Sequence, residues 1–225
     1  KAFKEDLKAF TIGFEEEGYS EINEAIKTAE KLKLDLTTKT LNAHEFMKEA
    51  RQAIEFLDSP VADPSSVAIY SIAREARKHV KVILSGEGAD ELFGGYRIYR
   101  EVDALKLFHP IPKPMKQILL WVANHLPNMK GKNFIRRGCI PLRDRYVGNA
   151  FVFNEQEKEQ LLSFYEPSHS FTKITHPIYD QIKNLDPLTQ MQMIDLKTWL
   201  RGDLLVKSDR LTMAHALELR VPFLD

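Results

Sequence analysis

The stretch "KVILSGEGADELFGGYRIYR", at residues 81–100, contains the strongest signals in this 225-residue chain. An apolar segment at residues 80–84 has the composition of a fully buried strand and passes directly into a glycine turn at residues 85–90. In open parallel sheets, ligands bind beyond the carboxyl ends of the strands, and glycines there let a ligand approach the main chain. The turn is therefore the first candidate binding site.

Three acidic residues, Glu87, Asp90 and Glu91, lie in or directly after this turn. The N-terminus of a following helix favours phosphate, because its unpaired N–H groups and its dipole attract anions. Acids beside a phosphate make sense when a divalent cation bridges them, and Mg²⁺ prefers carboxylate and phosphate oxygens. The pattern predicts a site for a metal-bound phosphate.

Two familiar phosphate-binding motifs do not fit the turn. A dinucleotide fingerprint would place glycines at 86, 88 and 91, but position 91 is Glu91. A Walker-type loop needs Gly-Lys-Ser or Gly-Lys-Thr, and the sequence contains neither. The remaining alternative is a glycine turn that merely joins a strand to a helix. The adjacent acids and the "FGGY" that follows favour the functional interpretation.

The first hundred residues alternate between strand and helix patterns. Strands are predicted at residues 7–14, 34–41 and 80–84, and amphipathic helices at residues 22–32, 46–57 and 63–76. Strands separated by helices of this length predict a parallel sheet with flanking helices and right-handed crossovers.

After residue 96 the pattern changes to helical spacing. Apolar residues recur with this spacing at 102–126, 155–165 and 187–200, and Asp186-Pro187 supplies a cap and a first-turn proline. Residues 127–148 look irregular, and no further strand is predicted. The sequence thus predicts an α/β part in residues 1–100 and an all-helical part in residues 101–225.

Composition limits the class of protein. Acidic and basic residues are equal in number, which gives no general attraction to nucleic acid. The single cysteine, Cys139, excludes an internal disulfide and fits a reducing compartment, so a cytoplasmic location is expected. The longest apolar runs are too short to span a membrane.

Several smaller features have simple structural interpretations. Lys207 is expected to be a solvated charge, and Glu218 and Arg220 are expected to pair at the end of a helix that starts near Asp209. The basic residues at 130–145 are expected to form a solvated loop or a face that packs on another domain, in preference to a polyanion site. A turn is expected at His176-Pro177, and Trp121 and Trp199 are expected in the core.

Two longer motifs resemble one known family. "SGEGADELFGGY" (residues 85–96) is similar to the signature of the synthetase domain of glutamine-hydrolysing asparagine synthetases. "LLVKSDRLTMAHALELRVPFLD" (residues 204–225) resembles a second element of that family, and "AFTIGF" (residues 9–14) resembles its second core strand. The resemblance implies an ATP-pyrophosphatase fold of the adenine nucleotide alpha hydrolase type, with both predicted parts belonging to one synthetase domain.

The resemblance also implies an activity and a site. Proteins of this family use ATP and Mg²⁺ to adenylate the side chain of aspartate, and ammonia from glutamine then gives asparagine. The matched positions are Ile12, Ser85 and Gly86 for the nucleotide, Glu87 for catalysis and Asp90 for the metal, with Glu91 as a weaker candidate that could instead cap or pair near the helix start.

Departures from the family pattern matter as well. The family's "SGGLDS" phosphate loop and its glutaminase domain are not in this sequence, so we expect the chain by itself to be inactive. A β-lactam synthetase on the same scaffold, or a non-catalytic module that keeps it, are the alternatives. The expected partners are small-molecule substrates, with no nucleic acid and no membrane; the resemblance allows a homodimer.

Overall fold

The computed structural model describes residues 7–16, 20–59, 61, 63–127, 129–149 and 151–225. Its strands are β1 Lys8–Phe14, β2 Asp35–Leu41, β3 Val82–Leu84 and β4 Glu218–Arg220. Its α-helices are α1 Ile22–Leu32, α2 Ala43–Glu55, α3 Ser65–Ala76, α4 Ala89–Phe93, α5 Glu101–Leu105, α6 Lys113–His125, α7 Lys132–Cys139, α8 Leu142–Arg145, α9 Glu155–Leu161, α10 Thr172–Ile182, α11 Pro187–Lys197 and α12 Leu205–Met213. Short 3-10 turns lie at Arg97–Arg100, Lys106–Phe108, Pro167–His169 and Pro222–Leu224, and a π-helical turn lies at Leu200–Leu204.

The chain divides into two compact units. Unit 1 consists of Lys1–Gly86 together with Asp203–Asp225, and unit 2 consists of Glu87–Gly202. All four strands of the described residues belong to unit 1, and the described part of unit 2 is built from helices and their connections.

The strands of unit 1 pair in parallel, as the alternation of strands and helices predicts. β1 pairs with β2, from Lys8 opposite Asp35 to Phe14 opposite Leu41, and α1 connects the two. β3 pairs with β4. In the described part of the chain these strands form two sheets of two strands each. The mixed α/β class with parallel pairing is confirmed.

Helix α3 positions both sheets of unit 1. Its alanines, Ala73 and Ala76, are buried together with Leu217, and Phe10 of β1 and Ile83 of β3 pack against this cluster. Alanine side chains are short, so the strands can approach the helix closely. The two strands that lead to the predicted nucleotide-contacting residues are therefore fixed by one helix.

One core cluster of unit 2 is rich in tyrosine. Its buried residues are Tyr99, Tyr146, Tyr179, Ile182, Met191 and Ile194. The predicted cap of α11 is confirmed, because the Asp186 carboxylate accepts hydrogen bonds from the N–H groups of Leu188 and Thr189. This cap fixes where α11 begins.

Two expectations about the strands are wrong. β3 is not fully buried, since Leu84 is 72% exposed and Val82 is 48% exposed. Successive side chains of a strand point to opposite faces, and here Ile83 packs on α3 while its neighbours face away. The second half of the sequence is not all-helical, because β4 forms beside β3. Glu218 and Arg220 do pair, at 2.6 Å, but on this strand and not at a helix end.

Three expectations about unit 2 are also wrong. Residues 127–148 are not irregular, because α7 and α8 form there. The His176-Pro177 pair lies inside α10 and is not a turn; Pro177 is tolerated in this helix although it cannot donate a main-chain hydrogen bond. Trp121 is 63% exposed on α6 and does not belong to the core. No helix in the described ranges is long and apolar enough to cross a membrane.

Candidate functional site

The glycine turn begins where β3 ends. The N–H group of Ser85 donates to the carbonyl of Arg220 at 2.9 Å, which extends the pairing of β3 with β4 by one residue. Gly86 follows and is exposed. A Cβ atom added to Gly86 would have no described atom within 4 Å, and its backbone does not have a positive φ. Neither packing nor conformation requires glycine here, so the open space fits the approach of a ligand.

The other glycines of the motif have structural reasons. Gly88 (φ +86°) precedes α4 and Gly94 (φ +70°) ends it, and both conformations favour glycine. At Gly95 a Cβ atom would collide with the carboxylate of Asp90. Since α4 contains five residues, its dipole attracts an anion less than the sequence pattern predicts.

The two neighbouring acids of α4 lie in different environments. Asp90 is exposed, and its carboxylate has no hydrogen-bond or ion-pair partner within the described residues. Glu91 is 1% exposed and accepts a hydrogen bond from the Tyr96 hydroxyl at 2.7 Å. Burial, together with this acid, raises the pKa of Tyr96. Asp90 is thus the acid of α4 that a ligand can reach.

Helix α11 holds α4 in place. The side-chain amide of Gln192 donates to the main-chain carbonyls of Glu91 and Leu92 at 2.8 and 3.0 Å. Together with the Tyr96 contact, these bonds fix the helix that carries Asp90. Glu87, the first residue of unit 2, is half-buried just before this helix.

A cavity of about 630 Å³ lies at the carboxyl ends of β1 and β2. Its walls include Phe14 and Leu41, the last residues of these strands, together with Phe46 of α2 and Asp63 before α3. Ile12 is half-buried in β1, two residues before Phe14. The cavity occupies the position at which parallel sheets usually bind ligands.

A buried ion cluster adjoins this cavity. Lys207 is 1% exposed, and its ammonium pairs with Asp63 and, at 3.4 Å, with Asp203. The pKa of the Asp63 carboxyl lies below its usual value. Burial by itself would raise this pKa, but hydrogen bonds from Lys207 and from the Ser65 N–H outweigh the effect of burial. For Asp203, which is farther from the ammonium, burial prevails and the pKa is raised.

The expectation that Lys207 is a solvated charge is wrong. The spacing of Asp203 and Lys207, four residues apart, is a signal that could have suggested a pair on one helical face. The contact with Asp63, which is 144 residues away in sequence, carries no local signal. The sequence interpretation missed this cluster for that reason.

The whole chain matches one protein family. Residues 1–225 match the family model described as asparagine synthase. The chain belongs to the asparagine synthase family. It is 47% identical over 226 residues to the glutamine-hydrolyzing asparagine synthetase 1 of Bacillus subtilis, a match that covers 100% of this chain and 36% of that protein.

A second relative of the asparagine synthase family gives the same result. A Mycobacterium tuberculosis protein named "Putative asparagine synthetase", glutamine-hydrolyzing, is 49% identical over 220 residues, covering 97% of this chain and 34% of that protein. The chain spans about a third of the length of the curated relatives it matches. The resemblance seen in the motifs is confirmed.

The predicted site residues of this family member are divided between the units. Ile12, Ser85 and Gly86 belong to unit 1, whereas Glu87, Asp90 and Glu91 belong to unit 2. The described residues contain no group of three or more His, Cys, Asp or Glu side chains placed to hold a metal ion.

Proposed function

We propose that the protein carrying this chain converts aspartate to asparagine with ATP, using ammonia derived from glutamine. An oxygen of the aspartate side-chain carboxylate forms a bond to the α-phosphorus of ATP, and pyrophosphate leaves. The ammonia nitrogen then bonds to the acyl carbon of the β-aspartyl-AMP, and AMP leaves as a proton is lost from nitrogen. Family membership over the full chain supports this reaction.

Gly86 is the observation that carries the proposal. The geometry of a turn would explain a glycine with positive φ or with a crowded Cβ position, but Gly86 has neither. A ligand that approaches the main chain at this point explains it, and the Ser85 side chain lies beside it. We propose that these two residues contact the ATP phosphates.

The nucleotide base has a suitable apolar environment in unit 1. Phe14, Leu41 and Phe46 line the cavity at the ends of β1 and β2. Aromatic and aliphatic walls bind the flat faces of a base, while main-chain groups read its edge. We propose that the main chain of β1 near Ile12 provides such contacts. The fold that we propose is of the ATP-pyrophosphatase type, and family membership supports it.

Glu87 and Asp90 have separate proposed roles. A carboxylate within hydrogen-bond reach of the incoming ammonia can orient it and accept its proton, and we assign this role to Glu87. Asp90 suits Mg²⁺, because this ion usually takes one or two protein carboxylates and completes its shell with water and phosphate oxygens. When bound, the ion would neutralise charge on the departing pyrophosphate. Glu91, whose carboxylate is engaged by Tyr96, serves to position α4.

The test is aspartate-dependent release of pyrophosphate from ATP, with asparagine as product, by the protein that carries this sequence. Gly86→Ala places a methyl group in the proposed phosphate position and is expected to lower kcat/KM for ATP about 100-fold, the cost of a small misplacement at the reacting centre. Gly202→Ala is the matched control, since this glycine also has open space around its Cβ position and no positive φ.

Two results would contradict the proposal. Equal activity of the Gly86→Ala and Gly202→Ala variants would show that the ligand does not contact the turn at Gly86. Pyrophosphate release that depends on another carboxylic acid, and not on aspartate, would support the β-lactam synthetase alternative. A protein without any ATP-dependent reaction would support the non-catalytic alternative.

A further inference from the structure

Unit 2 contains a second cavity, which none of the proposed site residues lines. It has a volume of about 610 Å³ and lies among α5, α6, α7 and α8. The residues that line it include four basic residues, Lys113, Lys116, Arg137 and Arg145, and no acidic residue. The chain as a whole has no net charge, so this concentration of cations is local.

The two arginines are fixed in position by one carboxylate. Arg137 Nε lies 2.5 Å from Glu101 Oε1, and Arg145 donates to Glu101 Oε2 at 2.5 Å. The side chains of Glu101 and Arg145 are 11% and 9% exposed. Because two guanidinium groups share one carboxylate, the cluster keeps a positive charge. Each guanidinium has five N–H donors, so donors remain for another anion.

The two lysines add positive charge to the lining of the cavity. Lys113 is the first residue of α6, and Lys116 lies one turn further on the same helix. Neither has an ion-pair partner within the described ranges. Like charges one turn apart on a helix repel, so an anion that binds near both is favoured.

The remaining walls of the cavity are apolar. Val102 and Leu105 of α5, Leu120 of α6 and Leu142 of α8 line it, and Cys139 at the end of α7 is 8% exposed there. Small-molecule sites typically combine such a surface with a few polar groups that fix the orientation of the ligand. Inorganic ions alone would leave the apolar surface unused.

We propose that this cavity binds a small organic anion, with its carboxylate or phosphate group on the cationic residues and its apolar body against α5 and α6. The site is separate from the residues assigned to the synthetase reaction. It therefore does not depend on the proposed function. Binding should weaken as ionic strength rises, because part of it is Coulombic.

The experiment compares two probes that differ in charge. Binding of 4-iodobenzoate and of its neutral isostere 4-iodobenzamide is measured by titration calorimetry with the protein that carries this sequence. We expect the anion to bind at least about tenfold more tightly, and the Lys113→Gln/Lys116→Gln variant to lose about tenfold for the anion alone, since a hydrogen bond to a charged group contributes about that factor. A crystal soaked with 4-iodobenzoate should show the iodine in this cavity.

The matched control is Lys173→Gln/Lys183→Gln. Lys173 lies on α10 and Lys183 follows it, both are exposed, and their replacement removes the same charge from unit 2 without touching the cavity. Binding of the anion should be unchanged in this variant. The proposal is overturned if the two probes bind equally or not at all. It is also overturned if both double variants lose the same factor, or if the iodine lies elsewhere.

Discussion

The two units bury charge in opposite ways. In unit 1 the ammonium of Lys207 lies between the carboxylates of Asp63 and Asp203. In unit 2 the carboxylate of Asp195 is completely buried and faces the hydroxyl groups of Tyr99 and Tyr146 and the N–H of Asn149. Formal charges compensate one another in unit 1, whereas neutral dipoles support a single charge in unit 2.

The pKa shifts show what this difference does. Burial raises the pKa of Asp195, and the hydrogen bonds from the two tyrosines and the Asn149 N–H offset only part of this. For Asp63 the contacts with Lys207 and Ser65 overcome burial, and the pKa is lowered. The close contact with the ammonium thus holds Asp63 ionised, whereas the pKa is raised both for Asp203, which lies farther from the same ammonium, and for Asp195, which has only hydroxyl and N–H donors. Burial of the Asp195 carboxylate in unit 2 is therefore only partly compensated by its hydrogen bonds, and it lowers the stability of this unit.

The largest expected effect is the loss of the central cation in unit 1. Lys207→Met leaves two carboxylates facing each other, and removing one partner of a buried pair typically costs about 3 to 5 kcal/mol. Asp63 and Asp203 are about one-fifth exposed, so we expect the lower end of that range. Hydrogen exchange of the amides in α3 and α12 measures this loss within unit 1.

A second lysine provides the control for this prediction. Lys8 pairs with Asp35 at 2.5 Å in the same unit, but both side chains are largely exposed. Exposed pairs are screened by solvent and contribute little to stability, so Lys8→Met should change exchange very little. Equal effects of Lys8→Met and Lys207→Met would show that burial does not matter for this cluster.

A smaller effect is expected from the carboxylate of unit 2. Asp195→Asn keeps one oxygen for the tyrosine hydroxyls but turns an N–H₂ group toward the Asn149 N–H. A buried donor left without an acceptor costs about 1 to 3 kcal/mol, and relief of the buried charge offsets part of it. Both tryptophans, Trp121 and Trp199, belong to unit 2, so their fluorescence during urea unfolding reports on this unit.

The control for Asp195→Asn is Asp180→Asn. Asp180 pairs with Arg143 at 3.1 Å in unit 2, and its side chain is 64% exposed. We expect less than about 1 kcal/mol from this exposed pair. A midpoint that shifts as much in Asp180→Asn as in Asp195→Asn would contradict the role given to the buried carboxylate.

Asp63 and Asp195 should respond to acid with opposite signs. Asp63 has a lowered pKa, so its contribution to stability is present above the usual value of about 3.9 and is lost as pH falls through the lowered pKa. Asp195 has a raised pKa, so the folded state binds the proton first and unit 2 gains stability as pH falls toward about 3.9. Urea unfolding followed by tryptophan fluorescence gives a midpoint for the wild type and for Asp195→Asn. As the pH falls, the midpoint of the wild type should rise relative to that of the variant. A change in the other direction would contradict the raised pKa.

Local sequence signals predicted part of this molecule well. The cap and first-turn proline predicted at Asp186-Pro187 start α11, and the strand pattern ending at Phe14 needs no distant partner to be recognised. The sequence could not reveal Lys207 as buried, because the environment of this lysine is set by Asp63 far away in the chain. Likewise, nothing in the adjacent letters of Asp90 and Glu91 tells which acid is exposed. Lys207, whose environment depends on a distant contact, is thus among the positions that the sequence interpretation missed.

The smallest expected effect concerns a neutral contact on the same helix as Asp195. Gln192 lies one turn before Asp195 on α11 and donates to the carbonyls of Glu91 and Leu92, so Gln192→Leu should free α4 without changing a buried charge. We expect amide exchange in α4 to accelerate about tenfold, with a change of less than about 1 kcal/mol in the tryptophan-monitored stability of unit 2, since one neutral side-chain amide is lost.

Gln190→Leu removes a similar amide on α11, which donates to the carbonyl of Leu185 at 2.8 Å. This variant should leave α4 unchanged, because its bond lies at the start of α11. If α4 is also the element that carries a metal-binding acid, Gln192→Leu should raise the Mg²⁺ concentration needed for half-maximal activity, while Gln190→Leu should not. Faster exchange of α4 in Asp195→Asn but not in Gln192→Leu would instead make the buried carboxylate, and not the neutral amide, the group that positions this helix.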